Sequence, residues 1–328
     1  MMKRFFTFFV TLAVAGVVSA YAQTLQMCNT EKPAFARNVM KASIAPGENQ
    51  VWWGYVAADA KVSGLGVNAA DTYHCAIFIP GDHAIAAGKA INAIRFALYT
   101  TNATDVSVWV STKLPNSAAD ADVEVVQIPS SELGGVIDAA LSTPYKLTAN
   151  GVYVGYSFTI PSIVDANADG YPIAVTGDDE APNTLIIKTD EKVPSWSDMY
   201  GQGFGRLYLQ VLLEGDFYTN AAAPLSIGDQ ILKAGSQSTL SVPVTNAGLQ
   251  PVSSIDYTIT TDGVTDAERH FAFASPIAFG ATDNADIVVM AAETIGQQVK
   301  TLTITKVNGE VNEQPNAGID FNVVTVAE

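Results

Sequence analysis

Residues 151–160, GVYVGYSFTI, point to the fold class: Val152, Val154, Tyr156, Phe158 and Ile160 fall on one face, and Tyr153, Ser157 and Thr159 on the other. Period-two alternation is the mark of a strand, because successive side chains of a pleated backbone point to opposite faces. The pattern recurs around it. Ile94, Phe96 and Leu98 alternate with Arg95, Ala97 and Tyr99; Val106, Val108 and Val110 with Ser107 and Trp109; Leu207, Leu209, Val211 and Leu213 with Arg206, Tyr208 and Gln210. Pro80-Gly81, Leu114-Pro115-Asn116, Gly134-Gly135 and Asn150-Gly151 punctuate these runs as turns. No stretch sustains four turns of amphipathic helix; residues 82–89 and 132–141 are each expected to hold a short helix at most.

The expected fold is all-β. Residues 50–216 carry about ten strand-length segments, the number of a jelly-roll-like β-sandwich. An N-terminal segment, 23–49, precedes them. Asn220-Ala221-Ala222-Ala223-Pro224 reads as the end of a linker over 217–224. Residues 225–328 then predict seven strands, at 226–233, 238–245, 253–261, 270–274, 286–290, 299–307 and 319–326, with tight turns at Asp262-Gly263 and Asn308-Gly309. Seven short strands at this spacing predict an immunoglobulin-like β-sandwich. The absence of inter-sheet cysteines excludes the antibody type.

Residues 1–22 read as a secretory signal peptide. Lys3 and Arg4 form a basic start, residues 5–18 are apolar apart from Thr7, Thr11 and Gly16, and Ala20 and Ala22 occupy the two positions a signal peptidase reads. The run is too short to span a bilayer, so the chain is expected to be secreted, periplasmic or on the outer cell surface, and not membrane-spanning. Cleavage before Gln23 leaves 15 basic residues against 33 acidic ones, a net charge of −18 divided equally about Gly215. With no basic cluster, binding to nucleic acid or to anionic lipid is excluded. The partner class left is an extracellular protein or glycan.

The chain has two cysteines, Cys28 and Cys75. A lone pair in an exported protein predicts a disulfide. It would close a long loop, worth roughly 4 kcal/mol by chain entropy. Two alternatives stand beside it: a lipid-anchored Cys28, against which Met27 argues, and a pair of thiols.

Calcium is the one cofactor the sequence offers. Asp165, Asn167 and Asp169 alternate ahead of Gly170, as oxygen ligands of a calcium loop do. The position for a closing bidentate Glu is Thr176, so Asp178 or Asp179 would have to substitute. The plain alternative is an exposed hairpin tip carrying Asp165, Asn167 and Asp169. Trp109 and Tyr153, on the face opposite the valines, are candidates for stacking on sugar rings; the alternative is that both fill a core or an edge. His74 beside Cys75, and Asp82 beside His83, outline a Cys-His pair, but Cys75 lies in a strand rather than in an exposed electropositive turn. No GxSxG elbow is present, and Gly201–Gly205 is not followed by a helix that would cradle phosphate. No enzymatic activity is expected.

Several phrases carry a resemblance: CAIFIPG (75–81), GKAINAIRFAL (88–98), DVSVWVSTKLP (105–115), STPYKLTANGVYVGYSFT (142–159), GRLYLQVLLEGD (205–216), VPVTNAGLQPVSSIDYTITTDG (242–263) and KTLTITKVNG (300–309). Together they resemble secreted modular surface proteins of the Bacteroidetes. VTNAGLQPV is similar to the strand–turn–strand of CARDB-type adhesion and spacer domains. The resemblance implies a secreted or cell-surface, non-catalytic binding, adhesion or spacer protein. It also implies an alternative, the non-catalytic N-terminal part of a larger exported enzyme or thioredoxin-like protein. A carbohydrate-binding module is the third reading.

Overall fold

The computed structural model describes residues 25–28, 43–129, 133, 135–315 and 317–327. The expected signal peptide lies outside them. The chain divides after Gly215 into two units.

In the first unit, one sheet orders β12 (Ser197–Asp198), β11 (Ile186–Thr189), β4 (Asp71–Ile79), β9 (Val152–Ile160), β6 (Thr104–Ser111) and β7 (Glu124–Gln127). A second orders β2 (Gln50–Gly54), β14 (Leu209–Glu214), β5 (Ala90–Ala97) and β8 (Val136–Lys146). A third orders β1 (Gln26–Met27), β3 (Val62–Gly66), β10 (Ile173–Thr176) and β13 (Arg206–Leu207). It continues the second through the bridge between Leu98 and Ile173. Phe96 of β5 stacks on Tyr156 of β9 with ring centroids 4.7 Å apart, so these sheets face one another across a single core. The alternation read from 151–160 is kept: Val152, Val154, Tyr156, Phe158 and Ile160 are all buried.

Residues 132–141, where the sequence allows a short helix at most, form β8 from Val136 onward, which pairs with β5. Residues 82–89 were the other helix candidate; they form turns, closed by the bond from the Ala87 N–H to the His83 carbonyl at 2.9 Å. Of the expected linker 217–224, residues 217–221 are an irregular connection, whereas Ala222–Pro224 form a buried strand of the second unit. The Cys28–Cys75 disulfide is not formed, and both side chains are buried. Cys75 lies on the inner face of β4, while Cys28 packs with Val62, Ala97, Ala174 and Tyr208 and accepts a hydrogen bond from the Tyr99 hydroxyl at 3.8 Å.

In the second unit, β15 (Ala222–Pro224), β17 (Gln237–Asn246) and β21 (Thr282–Met290) form one sheet. The other orders β16 (Gln230–Lys233), β24 (Gly318–Val326), β22 (Gly296–Val307), β18 (Val252–Thr261) and β19 (Val264–Thr265); β20 (Arg269–Ile277) pairs with β18 and β23 (Glu310–Val311) with β22. All seven expected strands are present. Both tight turns form as read, with positive φ at Asp262 (50°), Gly263 (80°), Asn308 (54°) and Gly309 (84°), the conformation a two-residue hairpin requires. Leu240, Val242 and Val244 of β17 and Ile287 and Val289 of β21 pack on Ile255, Tyr257, Ile259, Leu302, Ile304 and Phe321 of the opposite sheet. The VTNAGLQPV corner is pinned by buried Asn246. Its amide donates to the Gln250 and Ile277 carbonyls at 2.9 Å each, and its oxygen accepts from the Gly248 N–H at 2.8 Å.

Candidate functional site

The antiparallel register of β4 and β9 places His74 opposite Ser157, 83 residues apart in sequence. Both point away from the inner core, onto a face that the chain covers again. The His74 ring contacts Ser157 Oγ through Nδ1 at 2.8 Å and Asp190 Oδ1 through Nε2 at 3.1 Å. Trp109 of β6 donates its indole N–H to the same Ser157 Oγ at 3.0 Å. Lys188 joins Asp190 (3.2 Å) to the Asn116 carbonyl (2.6 Å), and the Trp196 indole donates to the Pro115 carbonyl at 2.7 Å. The loop between β6 and β7 is thereby held over the sheet, with Leu114, Ala118 and Ala121 packed on Trp109, Ala76 and Ile186. Asp122 closes it, accepting from the Thr112 N–H and hydroxyl (2.7 Å each) and the Ser111 hydroxyl (3.0 Å).

Serine, histidine and aspartate are thus hydrogen-bonded in series, and donor counting fixes their protons. Trp109 can only donate and ionised Asp190 can only accept, so a neutral imidazole places the ring proton on Nε2 and leaves Nδ1 to accept from the Ser157 hydroxyl. His74 Nε2 then carries its proton toward Asp190. Every group is satisfied with a neutral imidazole. Burial, the largest influence, lowers the His74 pKa; the Asp190 bond opposes it and Lys188 reinforces it, and the net direction is down. On Asp190, burial raises the pKa but the bonds from His74 and Lys188 outweigh it, so it stays ionised below the usual carboxylate range.

The geometry does not meet the needs of a nucleophile. Ser157 is 3% exposed and lies in the middle of β9, between β4 and β6. It pairs with His74 on one side and Ser107 on the other, so it is held within a ladder rather than on an exposed turn. The Cys-His pair outlined by the sequence does not form either. Burial pushes the Cys75 thiol well above its usual pKa, the reverse of an activated cysteine. His83 instead packs against Trp53, ring centroids 4.5 Å apart, and burial pulls its pKa down to about 4.

Two further expectations are corrected. Trp109 is fully buried beneath the 112–122 loop and is unavailable to a sugar ring. Tyr153 is half-buried against Phe78, with ring centroids 4.7 Å apart. Asp165 and Asn167 are exposed as the loop-tip reading has them, but Asp169 is not; it is 2% exposed. Its carboxylate accepts from the Val164 and Asp165 N–H groups at 2.8 and 2.9 Å, from Asn102 Nδ2 at 3.0 Å and from the Thr100 hydroxyl. Asp165 caps the Asn167 N–H at 2.9 Å, and Asp178 takes the Thr176 hydroxyl at 2.8 Å. Among the described residues, no three His, Cys, Asp or Glu side chains gather where they could hold a metal ion.

The Asp169 knot carries the first prediction. Burial raises its pKa, but the bonds from Thr100, the Asp165 and Val164 amides and Asn102 outweigh it, and the net direction is down. Asp169→Ala leaves buried donors without a partner and is expected to cost the first unit about 3 kcal/mol at neutral pH. A depressed carboxyl stabilises the fold fully above its unfolded pKa, about 3.9, and loses that contribution as pH falls through the lower folded value. The gap between variant and wild type in urea melts is therefore expected to be full at pH 6 and to close below about 3.9. An equal gap at both pH values would contradict this.

No protein-family model matches the chain, and no curated protein matches it. Among solved structures, it is similar to the CARDB domain of a Pyrococcus furiosus protein solved in complex with di-metal ions, at 16% identity and a TM-score of 0.27, over 35% of this chain and 100% of that one. A domain of a Methanosarcina acetivorans cell surface protein gives 18% identity and a TM-score of 0.27, over 34% of this chain and 95% of that one. A β-D-mannosidase from Dictyoglomus thermophilum gives 10% identity and a TM-score of 0.22, over 80% of this chain and 29% of that one. At these scores the likenesses carry no argument about function, which is read from the chain's own residues.

Sequence reasoning missed Ser157 as a partner of His74, and it missed Asp190 altogether. Ser157 was visible as a polar member of the face opposite Tyr156. The pairing needed the β4–β9 register, which no local pattern contains.

Proposed function

We propose that the chain is a secreted or cell-surface β-sandwich protein that binds, displays or spaces, and that performs no catalysis of its own. One observation carries the reading. The side chains with catalytic chemistry, Ser157, His74 and Asp190, are bonded to one another, to Trp109 and to Lys188, which in turn holds the 112–122 loop through the Asn116 carbonyl, and Ser157 lies buried in a central strand. The basic start, apolar run and Ala20/Ala22 pair support export, and net acidity supports an extracellular protein or glycan partner over nucleic acid. The reading requires no cofactor. The engagement of Asp169 by four protein donors supports a fold that stands without calcium.

The full chain, expressed with its leader in a Gram-negative host, is expected outside the inner membrane with Gln23 at its N-terminus. Turnover of ester, peptide and glycoside substrates is expected to be the same for wild type and Ser157→Ala. A cytoplasmic protein retaining Met1, or turnover that disappears in Ser157→Ala, would overturn the proposal.

A further inference from the structure

The outer face of the β2–β14–β5–β8 sheet holds a built polar clamp. The Asp138 side chain on β8 is fully buried and takes a two-point grip from Arg95 of β5, Nε to Oδ1 and Nη2 to Oδ2, both at 2.7 Å. The Arg95 guanidinium lies 4.0 Å from the ring centre of Trp52 on β2. Arginine stacked on an aromatic face and forked onto a carboxylate is held in one orientation. Two groups of this assembly point outward: Asp138 Oδ2 as an acceptor and the Trp52 indole N–H as a donor.

Both are taken by one residue. Ile44 donates its N–H to Asp138 Oδ2 at 2.9 Å and accepts from Trp52 Nε1 through its carbonyl at 3.1 Å. In an extended chain the N–H and C=O of one residue point to the same side, and this is how a sheet edge reads a neighbouring strand. Here two side chains do the reading, so the clamp recognises peptide backbone. Its occupant is lightly held. Ser43, Ala45, Pro46, Gly47, Glu48 and Asn49 are all exposed, and Ile44 alone is half-buried. The strap returns to β2 through a short turn, with the Gln50 N–H on the Gly47 carbonyl at 3.2 Å.

We infer that this clamp is a peptide-binding site filled in cis by Ile44, and that its partner is an extended segment of another polypeptide, aliphatic at the gripped residue and basic beside it. The basic preference follows from Glu214, exposed on β14 beside Gln50 at the turn end of the strap. The partner competes with a strap whose short tether gives it a high effective concentration, so binding becomes visible when the strap is weakened. The inference rests on the reading of a binding protein, and its test separates the two: loss of peptide binding without hydrolase activity removes the clamp and leaves the wider reading standing.

The probe is the strap's own sequence as an acetylated peptide, Ser-Ile-Ala-Pro-Gly followed by two lysines, titrated by calorimetry against the full chain. Ile44→Pro removes the strap's N–H and is expected to bind the probe at least tenfold more tightly than wild type. Adding Trp52→Phe, which keeps an aromatic ring at this position and removes the indole N–H, is expected to reverse that gain. The same peptide N-methylated at isoleucine is expected not to bind. Equal affinity of wild type and Ile44→Pro, or equal affinity for the methylated peptide, would overturn the inference. Hydrogen exchange on the wild type gives a second reading that needs no variant. The Ile44 amide is expected to exchange at least a hundredfold faster than the Tyr156 amide, because the strap opens locally. Protection of Ile44 equal to that of Tyr156 would equally overturn it.

Discussion

Gly155→Ala is expected to destabilise the first unit by about 3 kcal/mol, and Gly155→Val to leave it unfolded. Gly155 lies in the middle of β9, paired with Ala76 on one side and Trp109 on the other. A Cβ there would stand 2.3 Å from Trp109 Cζ2 and 2.4 Å from the Cys75 carbonyl oxygen. Neither neighbour can yield. The carbonyl belongs to a central strand, and Trp109 is fully buried and tied to Ser157 Oγ. The glycine is the recess into which the indole fits, so the effect reports directly on the covered outer face. Gly177→Ala is the control, because a Cβ at Gly177 meets nothing within 4 Å. Urea midpoints measure both. A Gly155→Ala protein within about 0.5 kcal/mol of wild type, the range of an ordinary surface change, would place Trp109 elsewhere.

Asp138→Ala is expected to cost about 3–5 kcal/mol, the loss found when one member of a buried ion pair is removed and the other stays. The Asp138 side chain is 0% exposed and that of Arg95 10%, so the guanidinium left behind has little access to water. The Ile44 N–H loses its acceptor at the same time. Replacing both partners, as in Arg95→Met with Asp138→Leu, removes the stranded charge and is expected to recover most of the loss. Equilibrium denaturation of the two single variants and the double variant tests this. A double variant as unstable as the sum of the singles would mean that the pair does not act as a unit.

The strands were legible because alternation is local. Residues 151–160 announced β9, and the second unit's seven strands and its two Asx-Gly hairpins appeared where the pattern put them. What failed was decided by distant chain. Trp109 sits on the polar face of its own strand, yet it is buried, because a loop that the sequence shows only as turn residues folds over it. Ala222–Pro224 reads as a spacer by composition but pairs with β17, a partner that small residues do not advertise. Asp169 follows the spacing of a calcium loop, and its carboxylate instead gathers nearby amides and two side chains from residues 100–102. The cysteine count predicts a bridge, but the fold sends Cys28 and Cys75 to separate packing environments.

If Ser157, His74 and Asp190 form a structural relay rather than a reaction centre, as we propose, Ser157 should resist serine-directed reagents. The folded full chain, treated with a fluorophosphonate and mapped by peptide mass spectrometry, is expected to carry no adduct on Ser157. In urea Ser157 should be no more reactive than any other serine. Stoichiometric labelling of Ser157 in the native protein, abolished by His74→Ala, would contradict the account.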